Sequence, residues 1–368
     1  LRVLVISDYR DSQAARPEAE LILGLKREGV DLDVITYPDT IYESRFRNAG
    51  IAVTTNHPAK KYDRDFIRYL KNKCREEAYD IFYLFNSQAI INGIFAAYDL
   101  KVKVVLYRGY TGNIHWYDPT AYFKYLNPRV DKVVCLADSI KDLLQQQKWF
   151  EANKAITINK GHHPDWYKNI TPINRSDINL PSDAFVVACM GNARTFKGIR
   201  YLLEATYLLN EMPTLHLLLI GRNMNKGHLN QLIQKSPLSK NIHVTGWRKD
   251  VLAILASCDV FMLPSIGGEA TTKSVIEAMS MGLPPIITDI YGNKGLVLHQ
   301  ENGLVVPTKS PQAIADAIFF YYTHRDLAKD HGQLAKRHIS EKFHINRTVK
   351  ETKALFQELV AVKSQDHS

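Results

Sequence analysis

The sequence predicts an α/β protein with two doubly wound parallel sheets, one in each half of the chain, and three observations carry that expectation. Its 368 residues exceed the usual span of one domain and suit two, each burying its own core. Near-continuous apolar runs of strand length alternate with helical patterns, as parallel strands covered on both faces require. A polar, proline-bearing stretch, residues 169–181, separates the halves and reads as a linker.

Residues 1–7, Leu-Arg-Val-Leu-Val-Ile-Ser, form the first expected strand. Pro17 opens a helix running to about Glu28, because a first helical turn has no use for the N–H that proline lacks. Further strands are expected at 31–36, 80–85, 102–107 and 132–136, with helices near 64–77, 88–97 and 139–148. The second half repeats the scheme with strands at 183–189, 215–220, 242–244, 260–263 and 285–288, and a helical tail covers about 345–363. In such folds the ligand site lies beyond the carboxyl ends of the strands.

Composition narrows the function classes. A hydrophobic content of 45% with 23% charged residues is that of a soluble globular protein, and no apolar run reaches the roughly 18–20 residues of a membrane span. Leu1 begins directly in a strand-like run with no basic-then-apolar leader before it, so a cytoplasmic location is expected. Cys74, Cys135, Cys189 and Cys258 are widely spaced and lack a Cys-x-x-Cys pair, the mark of buried thiols rather than disulfides or zinc ligands. A net charge of +9 points to an anionic partner. No helix-turn-helix, zinc-finger or RNA-stacking pattern accompanies it, so nucleic acid is not the expected one.

The most informative segment is Ser265-Ile-Gly-Gly-Glu269-Ala-Thr-Thr-Lys-Ser-Val-Ile-Glu277-Ala-Met-Ser-Met-Gly282. It puts Glu269 on a loop and Glu277 on the helix beyond it, with Thr272 as expected N-cap. Free N–H groups at that helix start attract a phosphate. A second segment, Met190-Gly191-Asn192-Ala-Arg194-Thr-Phe-Lys197-Gly198, also comes after a buried strand and offers two cations for a diphosphate. Asp250, after Trp247-Arg248-Lys249, is expected to cap the next helix.

The acidic segment resembles the Glu-x7-Glu signature of the retaining GT-B glycosyltransferases, the glycosyltransferase group 1 family. It is flanked by Leu-Pro-Ser, by Leu-Pro-Pro-Ile-Ile-Thr-Asp and by Glu301-Asn-Gly-Leu-Val-Val-Pro307. The resemblance implies two facing Rossmann-like domains: an acceptor domain at 1–168, a nucleotide-sugar domain at 169–345, and a tail at 346–368 crossing back to the first. It implies that Glu269 addresses the donor sugar, Glu277 the ribose and Lys197 the diphosphate. Gly191 and Asn192, Trp247 and Arg248, and Ala270, Thr271, Thr272 and Lys273 fall at donor-contacting positions. Arg194 is displaced from the family's arginine, which directly follows the glycine where this chain has Asn192. His115, in the loop Tyr107-Arg108-Gly-Tyr-Thr-Gly-Asn-Ile-His-Trp-Tyr-Asp118, resembles in position the histidine that many members direct at the donor sugar. The chain departs from the family at Ala14-Ala15-Arg16-Pro17-Glu18, where a Gly-Gly pair is common, and at Ala-Thr-Thr after Glu269, where Gly-Phe-Gly is common.

The same resemblance implies a retaining, metal-independent transferase with no cofactor beyond its nucleotide-sugar donor. The expected acceptor is a glycan or lipid-linked glycan in polysaccharide or lipopolysaccharide assembly. Asp31-Leu-Asp33 looks like a metal-binding Asp-x-Asp but stands at a strand start, where it reads as edge solvation. A dinucleotide dehydrogenase would show Gly-x-Gly-x-x-Gly after the first strand, where Ser7-Asp-Tyr-Arg-Asp-Ser stands instead. A non-catalytic sugar- or nucleotide-binding protein of the same fold is the alternative. On the expected helix at 64–77, Arg64, Arg68, Lys71 and Arg75 share one stripe beside Ile67, Leu70 and Cys74. That pairing suits docking on an anionic membrane, the inner face of the plasma membrane for a cytoplasmic enzyme.

Overall fold

The computed structural model of the chain describes residues 1–365 other than 111, 113, 270 and 294, apart from the side chains at 12–14 and 362–365. It forms two compact units, Leu1–His162 together with the stretch from Phe343, and His163–Lys342.

In the first unit the described residues form the strands β1 (Arg2–Ile6), β2 (Asp31–Ile35), β3 (Ala52–Thr54), β4 (Ile81–Leu84), β5 (Lys103–Arg108), β6 (Lys132–Cys135) and β7 (Ala155–Thr157). They pair in parallel in the order β3-β2-β1-β4-β5-β6-β7, so the connections reverse direction between β1 and β4. Val3, Leu4, Val5 and Ile6 are fully buried, as an apolar run between two helical layers should be. The helices here are α1 (Ser12–Arg27), α2 (Ile41–Asn48), α3 (Arg64–Glu77), α4 (Ser87–Ala97) and α5 (Asp138–Gln145). Pro17 lies inside α1 rather than opening it. The helix begins a turn earlier, where Ala15 N–H donates to Asp11 O at 2.9 Å.

Asp63 caps α3 by accepting from Phe66 N–H at 3.2 Å, and Ala78 ends it in the left-handed conformation. Phe66, Ile67, Leu70 and Cys74 are buried, so the apolar stripe of α3 is consumed by its own unit, where α3 packs on α4. Arg64, Arg68 and Arg75 stay exposed, while Lys71 pairs with Asp99. The Asp31-Leu-Asp33 segment is not simple edge solvation. Asp33 is buried, accepting from Arg2 Nη2 at 3.1 Å and from the Tyr79 hydroxyl. Burial and that carboxylate together push the Tyr79 hydroxyl well above its usual pKa.

The second unit repeats the architecture with β8 (Phe185–Met190), β9 (Leu215–Ile220), β10 (Ile242–Gly246), β11 (Val260–Leu263), β12 (Pro285–Thr288) and β13 (Leu304–Val306). Their parallel order is β10-β9-β8-β11-β12-β13, with the reversal between β8 and β11. Helices α6 (Ile199–Ala205), α7 (Gly227–Lys235), α8 (Val251–Leu255), α9 (Lys273–Ser280), α10 (Pro311–Thr323) and α11 (Arg325–Lys342) cover it, and α12 (Ile345–Gln365) comes after them. The stretch 169–181 is anchored rather than free. Arg175 donates to Ser257 O at 2.9 Å and to Ala184 O at 2.7 Å, and pairs with Asp259 at 3.0 Å.

Helix α12 belongs to the first unit and lies along α1. Val349 fills the hollow over Gly24, where any added Cβ would overlap it. Thr348 Oγ1 donates to Asn159 O at 2.8 Å, and the Phe356 ring meets Tyr83 edge-on at 5.3 Å. All four cysteines are buried thiols, and burial pushes Cys135, Cys189 and Cys258 up to about 12. Among the described residues no helix is long and apolar enough to cross a membrane.

Candidate active site

The site grows from two neighbouring strand ends. β8 and β11 pair at the point where the sheet order reverses, and crevices beyond the carboxyl ends of strands at such a point are where open α/β sheets bind ligands. The loop after β8 folds onto the loop after β11. Ile266 N–H donates to Phe196 O at 2.7 Å, and the Phe196 ring lies against Gly268, whose φ is 73°. Gly198, at φ 64°, fixes that approach, because a Cβ there would overlap the carbonyl oxygen of Pro264. This is the physical demand behind Lys197-Gly198: the turn needs a left-handed residue with no side chain.

Lys197 and Glu269 meet across the two loops. Lys197 Nζ is 2.5 Å from Glu269 Oε1, with side-chain exposures of 15% and 10%. Ser265 Oγ donates to the same oxygen at 2.9 Å, and Thr272 Oγ1 donates to Oε2 at 3.2 Å. A carboxylate only accepts, and three donors hold this one in place. Ser265 is fully buried, and its own carbonyl accepts from the Thr288 hydroxyl. Gly191 lies against the lysine stem, a Cβ there standing 3.5 Å from Lys197 Cε.

Thr272 occupies the N-cap position of α9, yet its side chain caps no N–H of the helix. Its hydroxyl turns to Glu269 and to the Asn293 side chain, 2.7 Å away. One hydroxyl has one proton. Asn293 is buried with an otherwise unpartnered amide nitrogen, so the network is satisfied when that amide donates to Thr272 and Thr272 donates to Glu269. The start of α9 is thereby left without a side-chain cap. One turn on, Lys273 Nζ pairs with the buried Glu277 at 3.0 Å.

The remaining expected residues are not drawn into this cluster. The Arg194 side chain is exposed, and among the described residues it makes no ion pair. Asn192 Oδ1 accepts from Arg222 N–H at 3.3 Å and ties its loop to the end of β9. Trp247 is 58% exposed. Arg248 forms a two-bond pair with Asp250 at 2.8 and 2.6 Å, which holds the Asp250 carboxyl below its usual range. Asp250 therefore stands at the N-cap of α8 without capping it. Thr271 is half-buried, and Ala270 lies outside the described residues. His115 is exposed in the first unit, its ring stacked on Tyr117 at 5.0 Å. Asn293 joins the cluster with no sequence pattern to single it out, and Ser265, though it ends the Leu-Pro-Ser stretch before Glu269, is given no role by that pattern. Among the described residues no group of three or more His, Cys, Asp or Glu side chains could hold a metal ion.

Comparison with known proteins bears on the family and the fold. A family model described as glycosyl transferases group 1 matches residues 184–324, and one described as glycosyltransferase family 4 matches residues 19–166. The two halves of the chain thus match glycosyltransferase domains, family 4 in the first and group 1 in the second. This glycosyltransferase is 24% identical over 321 residues to the lipopolysaccharide core biosynthesis glycosyltransferase LpsE of Rhizobium meliloti, covering 84% of this chain and 85% of that one. It is 28% identical to an Escherichia coli UDP-Gal:alpha-D-GlcNAc-diphosphoundecaprenol alpha-1,3-galactosyltransferase, over 51% of this chain but only 50% of that protein. The glycosyltransferase superposes on Anabaena HepE in complex with UDP with a TM-score of 0.78 at 16% identity, covering 97% of this chain and 100% of that one. At that identity the match speaks for the fold, and the fold is GT-B.

Proposed function

We propose that this glycosyltransferase moves a sugar from a nucleoside diphosphate sugar to a hydroxyl of a glycan or lipid-linked glycan, with retention at the anomeric carbon and without a metal ion. The setting we infer is the assembly of lipopolysaccharide or another cell-surface polysaccharide. The Lys197–Glu269 pair carries the reading. A diphosphate leaving group gains negative charge as the glycosidic bond breaks, and a cation fixed by its surroundings stabilises that charge with little reorganisation. Lys197 is such a cation, and the uncapped start of α9 adds N–H groups suited to a phosphate. Glu269, held by Ser265 and Thr272, is suited to the hydroxyls of the donor sugar, and Glu277 to those of the ribose. Arg194 and His115 are assigned to the diphosphate and the sugar.

UDP is the first nucleotide to test, supported by the HepE complex and by the UDP-Gal donor in the name of the Escherichia coli relative. That relative's name also supports a lipid-linked acceptor. The exposed arginines of α3 are assigned to an anionic membrane surface, as charge-only docking, since the apolar side of that helix is buried.

The test is turnover of a panel of UDP-sugars with a glycan acceptor in the presence of excess chelator, with the anomeric configuration of the product read by NMR. The proposal expects release of UDP and a product of the donor's own anomeric configuration. An inverted product, or activity restored only by a divalent metal, would overturn it.

A further inference from the structure

Each oxygen of Glu269 is held by a hydroxyl that is itself held from the end of β12. Ser265 Oγ donates to Oε1 at 2.9 Å while Ser265 O accepts from the hydroxyl of Thr288, the last residue of β12. Thr272 Oγ1 donates to Oε2 at 3.2 Å and lies 2.7 Å from the amide of Asn293, in the helical turn Tyr291–Asn293 beyond that strand. Thr288 and Asn293 are 0% and 1% exposed, so neither meets a ligand directly. Thr272 has a competing use for its hydroxyl. Its backbone, at φ −80° and ψ 111°, has the extended conformation of an N-cap, and its carbonyl already takes the N–H groups of Val275 and Ile276 at 3.1 and 3.2 Å. A threonine so placed ordinarily accepts from the N–H two or three positions on. Here it does not, and among the described residues the N–H groups of Lys273 and Ser274, the first two of α9, take no acceptor. The stability of a cap is given up. Asn293 also keeps a buried amide with no partner other than Thr272, a cost that native structures retain where it serves the site.

We infer that Asn293 is a positioning residue for sugar transfer: by donating to Thr272 Oγ1 it turns that hydroxyl off the start of α9 and onto Glu269, a role that rests on the donor site proposed above. Two consequences follow from the one hydrogen bond. The Glu269 carboxylate keeps a donor on each oxygen and so a single orientation, and the Ser274 N–H stays open to a phosphate. The residue type matters because an amide can donate, whereas an aspartate of the same shape only accepts and would draw the Thr272 proton away from Glu269.

The test compares Asn293→Ala, Thr272→Val and the double variant in turnover, in calorimetric titration with UDP, and in amide exchange of Ser274 read by NMR without ligand. In Asn293→Ala the released hydroxyl caps α9. Ser274 exchange is then expected to slow, UDP to bind about fivefold more weakly, the worth of one N-cap bond, and turnover to fall on the order of tenfold. Thr272→Val has no hydroxyl to cap with, so it should be comparably slow yet keep the UDP affinity and Ser274 exchange of the unmodified protein. Adding it to Asn293→Ala should restore both. A merely structural asparagine gives no such restoration. Asn293→Asp, which preserves the shape, should be at least as slow as Asn293→Ala. Unchanged turnover in Asn293→Ala, full activity in Asn293→Asp, or a UDP affinity that stays low in the double variant would each overturn the role. Ser274 exchange needs no nucleotide, so a protein that binds no UDP contradicts the donor reading while the exchange pattern still decides for or against Asn293.

Discussion

Lys197 Nζ lies 2.5 Å from Glu269 Oε1 and so joins the loops that leave β8 and β11, two strands that pair side by side in the second unit. The contact is both a structural brace and the proposed catalytic cation. Removing the cation leaves a largely buried carboxylate without its partner. Lys197→Ala is therefore expected to lose about 3 kcal/mol of stability and to slow transfer by roughly 10²–10³. The double variant with Glu269→Gln should regain most of the stability and none of the rate. Chemical denaturation and turnover of the three variants check this, and full recovery of rate in the double variant would count against a catalytic lysine.

Glu269 and Glu277 should behave differently when neutralised. Glu269→Gln is expected to depress turnover while the affinity for bare nucleoside diphosphate holds. Glu277→Gln, which also frees Lys273, is expected to weaken nucleotide binding itself. Calorimetry with UDP alongside initial rates separates the two, and equal losses of UDP affinity would refute the division of roles.

Gly198→Ala tests the packing of the two loops without touching a charge. A methyl group would overlap the Pro264 carbonyl, and φ 64° adds strain for any residue with a Cβ. A stability loss of about 1–3 kcal/mol is expected from the backbone conformation alone, with donor turnover falling because Lys197 is displaced. A variant as stable and active as the unmodified protein would show that the loops do not need this approach.

Much of this was legible in the sequence because long signals are robust. The runs that became β1, β8 and β9 are apolar throughout, and α3 occupies the residues its periodicity indicates, 64–77. Strands β3 and β7, with three residues each, are too short to carry a period, and α2 is mostly polar. Lys197 and Glu269 stood out through their flanking motifs. Ser265 lies in one of those motifs, but its hydrogen bond to Glu269 is not written in it, and Asn293 reaches Thr272 from 21 positions away. Asp33 reads as solvated for the same reason: its partner Tyr79 is 46 residues on. Local sequence shows Thr272 and Asp250 at helix starts, where capping is the default. It does not show the carboxylate of Glu269 or the guanidinium of Arg248, which claim those side chains instead.

His57 should make the protein acid-sensitive in a defined window. It is buried, stacks on Tyr37 at 4.2 Å, and fits as a neutral ring whose Nδ1 donates to Pro58 O at 3.1 Å and whose Nε2 accepts from Asn86 at 2.8 Å. Burial lowers its pKa from 6.5 to about 4, with Asp8 and Arg10 acting in opposite senses on it. Between those values the unfolded chain binds the proton and the folded one does not, so stability is full above about pH 6.5 and falls as pH drops toward 4. The loss over the window is about 3 kcal/mol. Denaturation from pH 7 to 4 should show a shallower decline in His57→Gln, and parallel curves would contradict this origin.

The basic face of α3 predicts salt-sensitive binding to anionic vesicles. Each exposed arginine near such a surface contributes about 1 kcal/mol. Arg64, Arg68 and Arg75 changed together to Glu should abolish co-sedimentation, whereas Lys71, already paired with Asp99, should matter less. Absent or salt-indifferent binding by the unmodified protein would remove the membrane from the proposal.

The central claim is that Lys197 and the start of α9 hold a nucleoside diphosphate, and the most direct measurement is the thermal shift of the unmodified protein and of Lys197→Ala with UDP, GDP and ADP. A ligand that binds only the folded state stabilises it by about 2.7 kcal/mol at a hundredfold excess over its Kd, enough to raise Tm by several degrees. UDP is expected to give that rise in the unmodified protein and little or none in Lys197→Ala. No shift with any of the three nucleotides, or an equal shift in both proteins, would contradict the claim.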